Sequence, residues 1–301
     1  MLLKLQNTQK RYKLTNNKVY QAPKGWKLSA LAELQHPVKA TVVCIYNNKS
    51  RSDSKIIVDG KEVKHFKAET IGQPLVWGNY IAMAGECFRL IYYHEGNLAT
   101  HFPLKWASAC TLWNGNPVTI NWDGKRNSVL ECVMGNKIAE LNAGGIALSA
   151  IDYKGVLVAA TTDDDKGRHG VIASNGEFIR LDSCQCVARF FDKIIFTSKN
   201  KVYVHDGNNY HQAAEMPCEK IMDLHVFGEG VGQTLRISCA NPDSVWDADY
   251  LGNMHFVGEI KHGNTKIGGT CFNVRATQNY FARCADGDTA EIYKIDEVTY
   301  D

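Results

Sequence analysis

Ile56-Ile57-Val58-Asp59-Gly60-Lys61-Glu62-Val63 reads as a short apolar strand, a polar Asp-Gly turn and a second strand. Asp-Gly between such strands is the chemistry of a tight β-hairpin, because both central positions of that turn need a positive φ. The phrase returns from Leu90 to Leu98 around Gly96, from Val129 to Ile138 around Gly135, from Val171 to Ile179 around Gly176, and again around Gly207 and Gly252. A second series of apolar strands starts at Val42, Tyr80, Val118, Val156, Ile194, Leu235 and Tyr280, with spacings of 38, 38, 38, 38, 41 and 45 residues. Each repeat is made of strands, and none offers a helix.

Self-similarity at this period predicts an all-β chain folded as a β-propeller, in which each blade has four antiparallel strands, a to d from the axis outward. Small and apolar residues place strand a at Leu28–Leu34, Ala107–Trp113, Ala147–Tyr153, Cys186–Phe191, Ile221–Phe227 and Gly269–Val274. Seven a-b pairs predict seven blades. The last repeat ends soon after Glu291–Ile295, so its outer strand is missing, while Asn16–Pro23 resembles the d strands near Gly135 and Gly207. The N-terminal strand is therefore expected to complete the last blade and remove an open edge. This gives one propeller domain over residues 16–301, with residues 1–15 as an arm or extra strands. An eight-bladed register, with Leu2 to Gln21 in a blade of its own, is the alternative.

Composition supports one globular domain, with 45% hydrophobic and 22% charged residues. Lys and Arg number 34 against 32 Asp and Glu, a balance that gives no global field toward nucleic acid or anionic membrane. Of ten cysteines, Cys44, Cys132, Cys239 and Cys284 lie among apolar neighbours in predicted strands, where reduced thiols pack as small hydrophobes. Met1-Leu2-Leu3-Lys4-Leu5 has no basic lead into a long apolar run, so no signal peptide is expected. No stretch reaches the roughly 20 apolar residues of a spanning helix. Cytoplasmic synthesis is expected, with later incorporation into a larger particle.

Over residues 16–301 the repeats resemble the β-propeller superfamily. Trp122-Asp123 and Trp246-Asp247 fall at different strand positions and lack a Gly-His partner in each repeat, so they do not make a WD40 signature. The paired glycines of kelch blades are absent too. In style the chain is similar to propeller modules of tailed-bacteriophage virions. That resemblance implies a structural or adaptor component of a tail, neck or baseplate.

Motifs for chemistry are sparse. Gly228-Glu229-Gly230-Val231-Gly232 precedes a strand, whereas phosphate cradling needs a following helix. Cys184-Gln185-Cys186 lacks the second pair of a zinc site. Asp163-Asp164-Asp165 and Asp286-Gly287-Asp288 could face a hard cation, but the runs lack the alternating spacing of calcium loops and read as solvated charge. No Ser or Cys nucleophile is placed beside a His and a carboxylate. The sequence thus predicts no catalytic residue, metal or cofactor. An aromatic closes strand a in five repeats, at Trp77, Trp113, Tyr153, Phe191 and Phe227. A repeated position serves the repeat, so these predict wedges between blades; stacking of sugars is the other reading.

Departures from the repeat point to function. Pro23-Lys24-Gly25-Trp26-Lys27 and Pro103-Leu104-Lys105-Trp106-Ala107 each place a Trp beside Lys, the composition of an interface hot spot. A Trp folding back on its blade edge is the simpler reading. On the same predicted face lie Lys49, Arg51, Lys125 and Arg126 from some repeats, and Asp163, Asp164, Asp165, Asp243, Asp286 and Asp288 from others. Such lopsided charge suits oriented docking of a protein. The leading expectation is a non-enzymatic protein-interaction scaffold. The alternatives are a carbohydrate-binding or receptor-binding propeller, and a hydrolase using channel-mouth carboxylates from Glu33, Asp152, Glu219 and Asp223.

Overall fold

A computed structural model describes residues 10–34, 40–47, 53–67, 70–85, 87–92, 97–104, 106–141, 145–162, 170–181, 184–261, 274–286 and 288–298. The strands run β1 (Arg11–Gln21); β2 (Trp26–Leu34), β3 (Ala40–Asn47), β4 (Ser54–Val58), β5 (Lys61–Phe66); β6 (Thr70–Trp77), β7 (Tyr80–Gly85), β8 (Cys87–Tyr92), β9 (Asn97–Pro103). They continue with β10 (Trp106–Trp113), β11 (Asn116–Trp122), β12 (Asn127–Glu131), β13 (Lys137–Leu141); β14 (Ile146–Tyr153), β15 (Val156–Thr162), β16 (Gly170–Ala173), β17 (Phe178–Arg180). The remainder are β18 (Val187–Phe190), β19 (Lys193–Ser198), β20 (Lys201–His205), β21 (Tyr210–Glu215); β22 (Lys220–Phe227), β23 (Thr234–Ala240), β24 (Asp243–Ala248), β25 (Met254–Ile260); β26 (Val274–Ala276), β27 (Tyr280–Ala285) and β28 (Thr289–Val298). The second strand of each group contains the landmark read from sequence. The β4–β5 turn has Asp59 at φ 48° and Gly60 at φ 77°, the left-handed pair that an Asp-Gly hairpin requires.

Strands β2–β5, β14–β17, β18–β21 and β22–β25 form four-stranded antiparallel sheets in chain order. A fifth such sheet has the order β1-β28-β27-β26. Strands β6–β9 and β10–β13 form two further runs of this kind, merged into one eight-stranded sheet by a single parallel bridge between Ala109 and Gln73. The described residues thus give six sheets rather than the seven separate blades expected. The inner strands β6 and β10 approach closely enough for one backbone bridge, and at that point Ala109 carries only a methyl group. First strands neighbour one another in succession, β2 beside β6 and on through β10, β14, β18, β22 and β26, with β26 beside β2.

The N-terminal strand reaches upstream of Asn16. It begins at Arg11, ahead of Asn16, and pairs Arg11 with Val298 through Leu14 with Ile295 before a register break leads to Lys18 opposite Tyr293. Tyr12 and Leu14 alternate inward and are buried, which explains why the pairing extends upstream. Residues 11–15 are part of β1, and β1 shares the last sheet instead of founding another blade. The inner strand of the last repeat, expected at Gly269–Val274, is described as Val274–Ala276, its earlier part lying outside the described residues.

Inner strands share a device. Their register against the second strand slips between Leu28 and Ala30, Ala107 and Ala109, Ala147 and Ser149, and Ile221 and Asp223. A bulge at this position increases local twist, as closely spaced inner strands need. Apolar clusters lie between consecutive groups, for example Leu148 with Ile195, Leu224 and Ile237, and Ala109 with Val118, Ala147 and Leu157. Burial of such faces is the main favourable contribution to the fold, at roughly 25 cal/mol per Å² of apolar surface. Among the described residues no helix is long and apolar enough to cross a membrane.

Candidate functional site

Four antiparallel strands per group give two faces. The a-to-b and c-to-d turns emerge on one, and the b-to-c loops and d-to-a connections emerge on the other. Of the sequence-predicted residues, Lys24, Trp26, Lys125 and Arg126 are described and belong to the second face.

Trp26 does not project from a loop there; it opens β2. Its ring is half-buried, meets His65 edge-on at 5.9 Å and lies under Lys55 Nζ at 4.6 Å. Lys55 also pairs with Glu62 at 2.7 Å. The Trp thus folds back on its own sheet, and the neighbouring Lys24 is exposed. In the β11–β12 loop, Asp123 Oδ1 accepts the backbone N–H groups of Lys125 at 2.7 Å and Arg126 at 2.9 Å. Both basic side chains are exposed, and Arg126 pairs with Glu140. Trp106 opens β10, but its side chain, with Lys49, Arg51, Lys105, Asp163, Asp164 and Asp165, lies outside the described residues. Asp243 is corrected from a loop surface charge to a buried one, with Arg283 Nη1 at 3.3 Å. Arg283 also bonds Glu291, which accepts the Tyr293 hydroxyl proton at 2.6 Å.

The recurrent aromatics act between groups. Trp113 Nε1–H donates to the carbonyl of Gly155 at 2.9 Å, and the Tyr153 hydroxyl donates to the carbonyl of Asp192. Gln233 Oε1 accepts the Phe191 N–H at 2.9 Å. Three successive a-to-b turns are thereby each fastened to the next, which fits the wedge role.

The inner carboxylates are fasteners as well. Asp152 accepts Asn114 N–H at 2.7 Å and Gly155 N–H at 2.8 Å. Glu33 accepts the backbone N–H of Asn279 at 3.1 Å, and Glu219 accepts Asn241 Nδ2–H at 2.8 Å. Asp223 lies beside Arg275, with Nη1 4.0 Å from its Oδ1. Ser149 fills the corresponding post-bulge position and bonds the N–H and C=O of Val187. Burial raises Asp223 from 3.8 to about 6, while burial and then the positive Arg236 lower His225 from 6.5 to about 4. Glu33 and Asp152 lie toward one end of the inner strands and Glu219 toward the other. Among the described residues, no group of three His, Cys, Asp or Glu could hold a metal.

The first face supplies what the sequence-based site list missed. Val231, Tyr250 and Leu251 are 56%, 45% and 68% exposed. Val231 lies in the a-to-b turn after β22, and Tyr250 with Leu251 forms the c-to-d turn after β24. They separate two clefts of about 500 Å³, one lined by Phe191, Val204, Ile237 and Met254 and the other by Lys10, Tyr12, Phe227 and Gln278. A smaller pocket on the same face, of about 170 Å³, is lined by Tyr153, Glu177, Phe196 and His205. The signal in the sequence was Tyr250-Leu251 before Gly252, at a turn where other repeats carry Asp59 or Asp206.

No protein-family model and no curated protein matches the sequence. Solved structures do. The WD40 domain of Pan2 from Neurospora crassa aligns with a TM-score of 0.62 at 10% identity, covering 96% of each chain. BBS1N, solved in complex with ARL6DN, aligns at 0.61 and 11% identity, covering 94% of this chain and 97% of that one. BamB from Moraxella catarrhalis aligns at 0.53 and 12% identity, over 89% and 85%. At such identities the likeness is one of fold, and with the sheet order above it makes this chain an all-β propeller of four-stranded antiparallel blades.

Proposed function

We propose that this chain is a non-enzymatic protein-docking platform, a seven-bladed ring with β1 as the outer strand of its last blade. The observation that carries the reading is the exposed cluster of Val231, Tyr250 and Leu251 on the turn face, raised between two clefts. Apolar side chains raised between clefts, with polar groups around them, are the anatomy of an interface core and rim. BBS1N, a structural neighbour, was solved with another protein bound, which supports use of the fold in this way. Lys24, Trp26, Lys125 and Arg126 form a second, more polar docking candidate on the opposite face. For the tailed-phage setting, the support is the resemblance in repeat style alone.

Affinity capture from the native lysate tests the reading, with a Tyr250→Ala, Leu251→Asp variant and a Lys125→Glu, Arg126→Glu variant beside the unmodified chain. Loss of a specific protein from the first variant alone supports docking on the apolar turn face. Loss from the second alone moves the site to the basic face. Equal capture of nothing by all three, with retention on a glycan array, replaces the reading by carbohydrate recognition.

A further inference from the structure

Between the sheets β14–β17 and β18–β21 lies the pocket of about 170 Å³, and strand alternation explains why it stays open. Val156, Val158, Val171 and Ala173 follow the two-residue period of β15 and β16 onto one wall. Ile194 and Phe196 of β19 form the other, with the Phe196 ring stacked on Tyr203 at 5.5 Å. The short side chains of the first wall leave a gap that the second does not fill. At its inner end Val158, Val171 and Phe196 are buried in one apolar cluster.

Two turns supply the polar rim. The β16–β17 turn is closed by Gly176 N–H on Ala173 O at 3.0 Å and by Glu177 N–H on Asn175 Oδ1 at 3.2 Å. Those bonds use the backbone of Glu177, while Glu177 itself is exposed and lines the pocket. In the β20–β21 turn His205 Nδ1 accepts the Gly207 N–H at 3.1 Å. An imidazole that accepts at Nδ1 is neutral and carries its proton on Nε2, so His205 adds a donor without charge. Among the described lining residues Glu177 is therefore the one charged group, and none is Lys or Arg.

We propose that this junction binds a small arylalkylammonium, its single aromatic ring seated between the two walls and its ammonium group on the Glu177 carboxylate.

Size and charge select that class. An apolar cavity of about 150 Å³ takes up one benzene ring, so the space here matches a single ring. Apolar walls with a few placed polar groups are the usual make-up of a small-molecule site. An anionic ligand would meet the Glu177 carboxylate with no cation on the wall to offset it, whereas an ammonium one or two carbons from the ring reaches the rim as the ring fills the floor.

Tyr153, also on the lining, already carries an ammonium on its face, Lys154 Nζ lying 5.0 Å from the ring centre. Aromatic faces attract cations, and Lys154 is the chain's own competitor for this end of the pocket. Removing its charge should leave the ligand's affinity unchanged or raise it.

The test is methyl NMR of the full chain, labelled at Ile and Val, titrated with 2-phenylethylammonium, with neutral 2-phenylethanol and with anionic phenylacetate. The ammonium should shift the methyls of Val156, Val171 and Ile194 with a Kd on the order of 1 mM, as suits a ligand of so few atoms. It should bind about two- to fivefold more tightly than the alcohol, the range of an exposed ion pair, and phenylacetate should bind more weakly than either. Glu177→Gln, a surface change that leaves the walls intact, should abolish the preference for the ammonium over the alcohol, and Lys154→Met should preserve it. A Phe-Gly-Gly peptide carries the same ring and ammonium at a chain terminus; tighter binding of the peptide assigns the site to a chain end, and tighter binding of 2-phenylethylammonium assigns it to a free amine. Absence of methyl shifts at about 20 mM ammonium, well above that Kd, overturns the proposal. So does equal affinity for ammonium and alcohol in the unmodified chain, or a preference that survives Glu177→Gln. The pocket is separate from Val231, Tyr250 and Leu251, and no partner protein enters the test, so its outcome is independent of the docking reading.

Discussion

Arg236 and Asp247 face each other across β23 and β24, joined by two parallel hydrogen bonds, Nε to Oδ1 and Nη2 to Oδ2, each 2.8 Å long. Both are buried. The other guanidinium nitrogen donates to the carbonyls of Thr277, at 2.6 Å, and Gln278. The rings of Tyr12 and Phe227 lie 4.8 and 4.7 Å from the guanidinium carbon. One side chain thus ties β23 to β24, to the turn before β27 and to the N-terminal strand. Truncating one partner of a buried pair strands the other charge in a low dielectric, at a cost of about 3–5 kcal/mol. Asp247→Ala should lower the urea midpoint accordingly and release β1 to early proteolysis. A variant that unfolds at the unmodified midpoint would show that the pair contributes little.

Asp223 and His225, two residues apart on β22, should oppose each other in acid. The Asp223 carboxyl is raised to about 6, so its contribution is fully present below the unfolded value of 3.8 and is lost as pH rises through 6. His225 is lowered to about 4, so its contribution is present above the unfolded value of 6.5 and is lost as pH falls through 4. Each linkage amounts to at most about 3 kcal/mol, at 1.36 kcal/mol per pH unit. In the unmodified chain they largely cancel between pH 4 and 6. Asp223→Asn should make stability rise with pH over that window, and His225→Gln should make it fall. Denaturant titrations at several pH values read the slopes; two variants with parallel profiles would refute the opposition.

Gly258 on β25 has φ 152°, and a methyl group placed there would lie 2.7 Å from Leu14 Cβ. The outer strand of one sheet is therefore bare where the N-terminal strand crosses it. Gly258→Ala should cost about 1–3 kcal/mol through overpacking and speed amide exchange over Tyr12–Leu14 in hydrogen-exchange mass spectrometry. Exchange unchanged in β1 would indicate that the two strands do not pack this closely in solution.

Trp113 tests the turn-to-turn fastening. Trp113→Phe keeps an aromatic wedge but removes the bond to Gly155, with an expected loss of about 1 kcal/mol. Trp113→Ala removes the wedge as well, and large aromatic truncations in packed sites cost about 3–5 kcal/mol. Thermal unfolding of the pair separates the contributions. If both variants match the unmodified chain, the ring is not a wedge, and sugar stacking regains interest.

The strand series and the hairpins were legible because both depend on neighbours in the chain. Alternation places every second side chain inward, and Asp59-Gly60 supplies the positive φ its turn needs. Pairing of Asn16–Gln21 with the last repeat was legible as well, because that segment copies the outer strands of other repeats. Its extension to Arg11 was legible only as one of two options, an arm or added strands, since Arg11-Tyr12-Lys13-Leu14 resembles no other outer strand and is fixed by Phe227, Arg236 and Gly258 from elsewhere.

The candidate sites divide along the same line. Trp26 and its basic neighbours stood out by composition, but whether Trp26 projects or packs depends on Lys55 and His65, residues of other strands. Asp243 looked like loop charge until Arg283 of the next sheet met it. Sequence alone determined that the chain repeats a four-stranded unit and where the turns fall, since turn chemistry and strand alternation act over a few residues. Tertiary structure alone decided which charges are buried in pairs and which junctions stay open as clefts. Those outcomes depend on the side chains that neighbouring sheets bring together from distant parts of the chain.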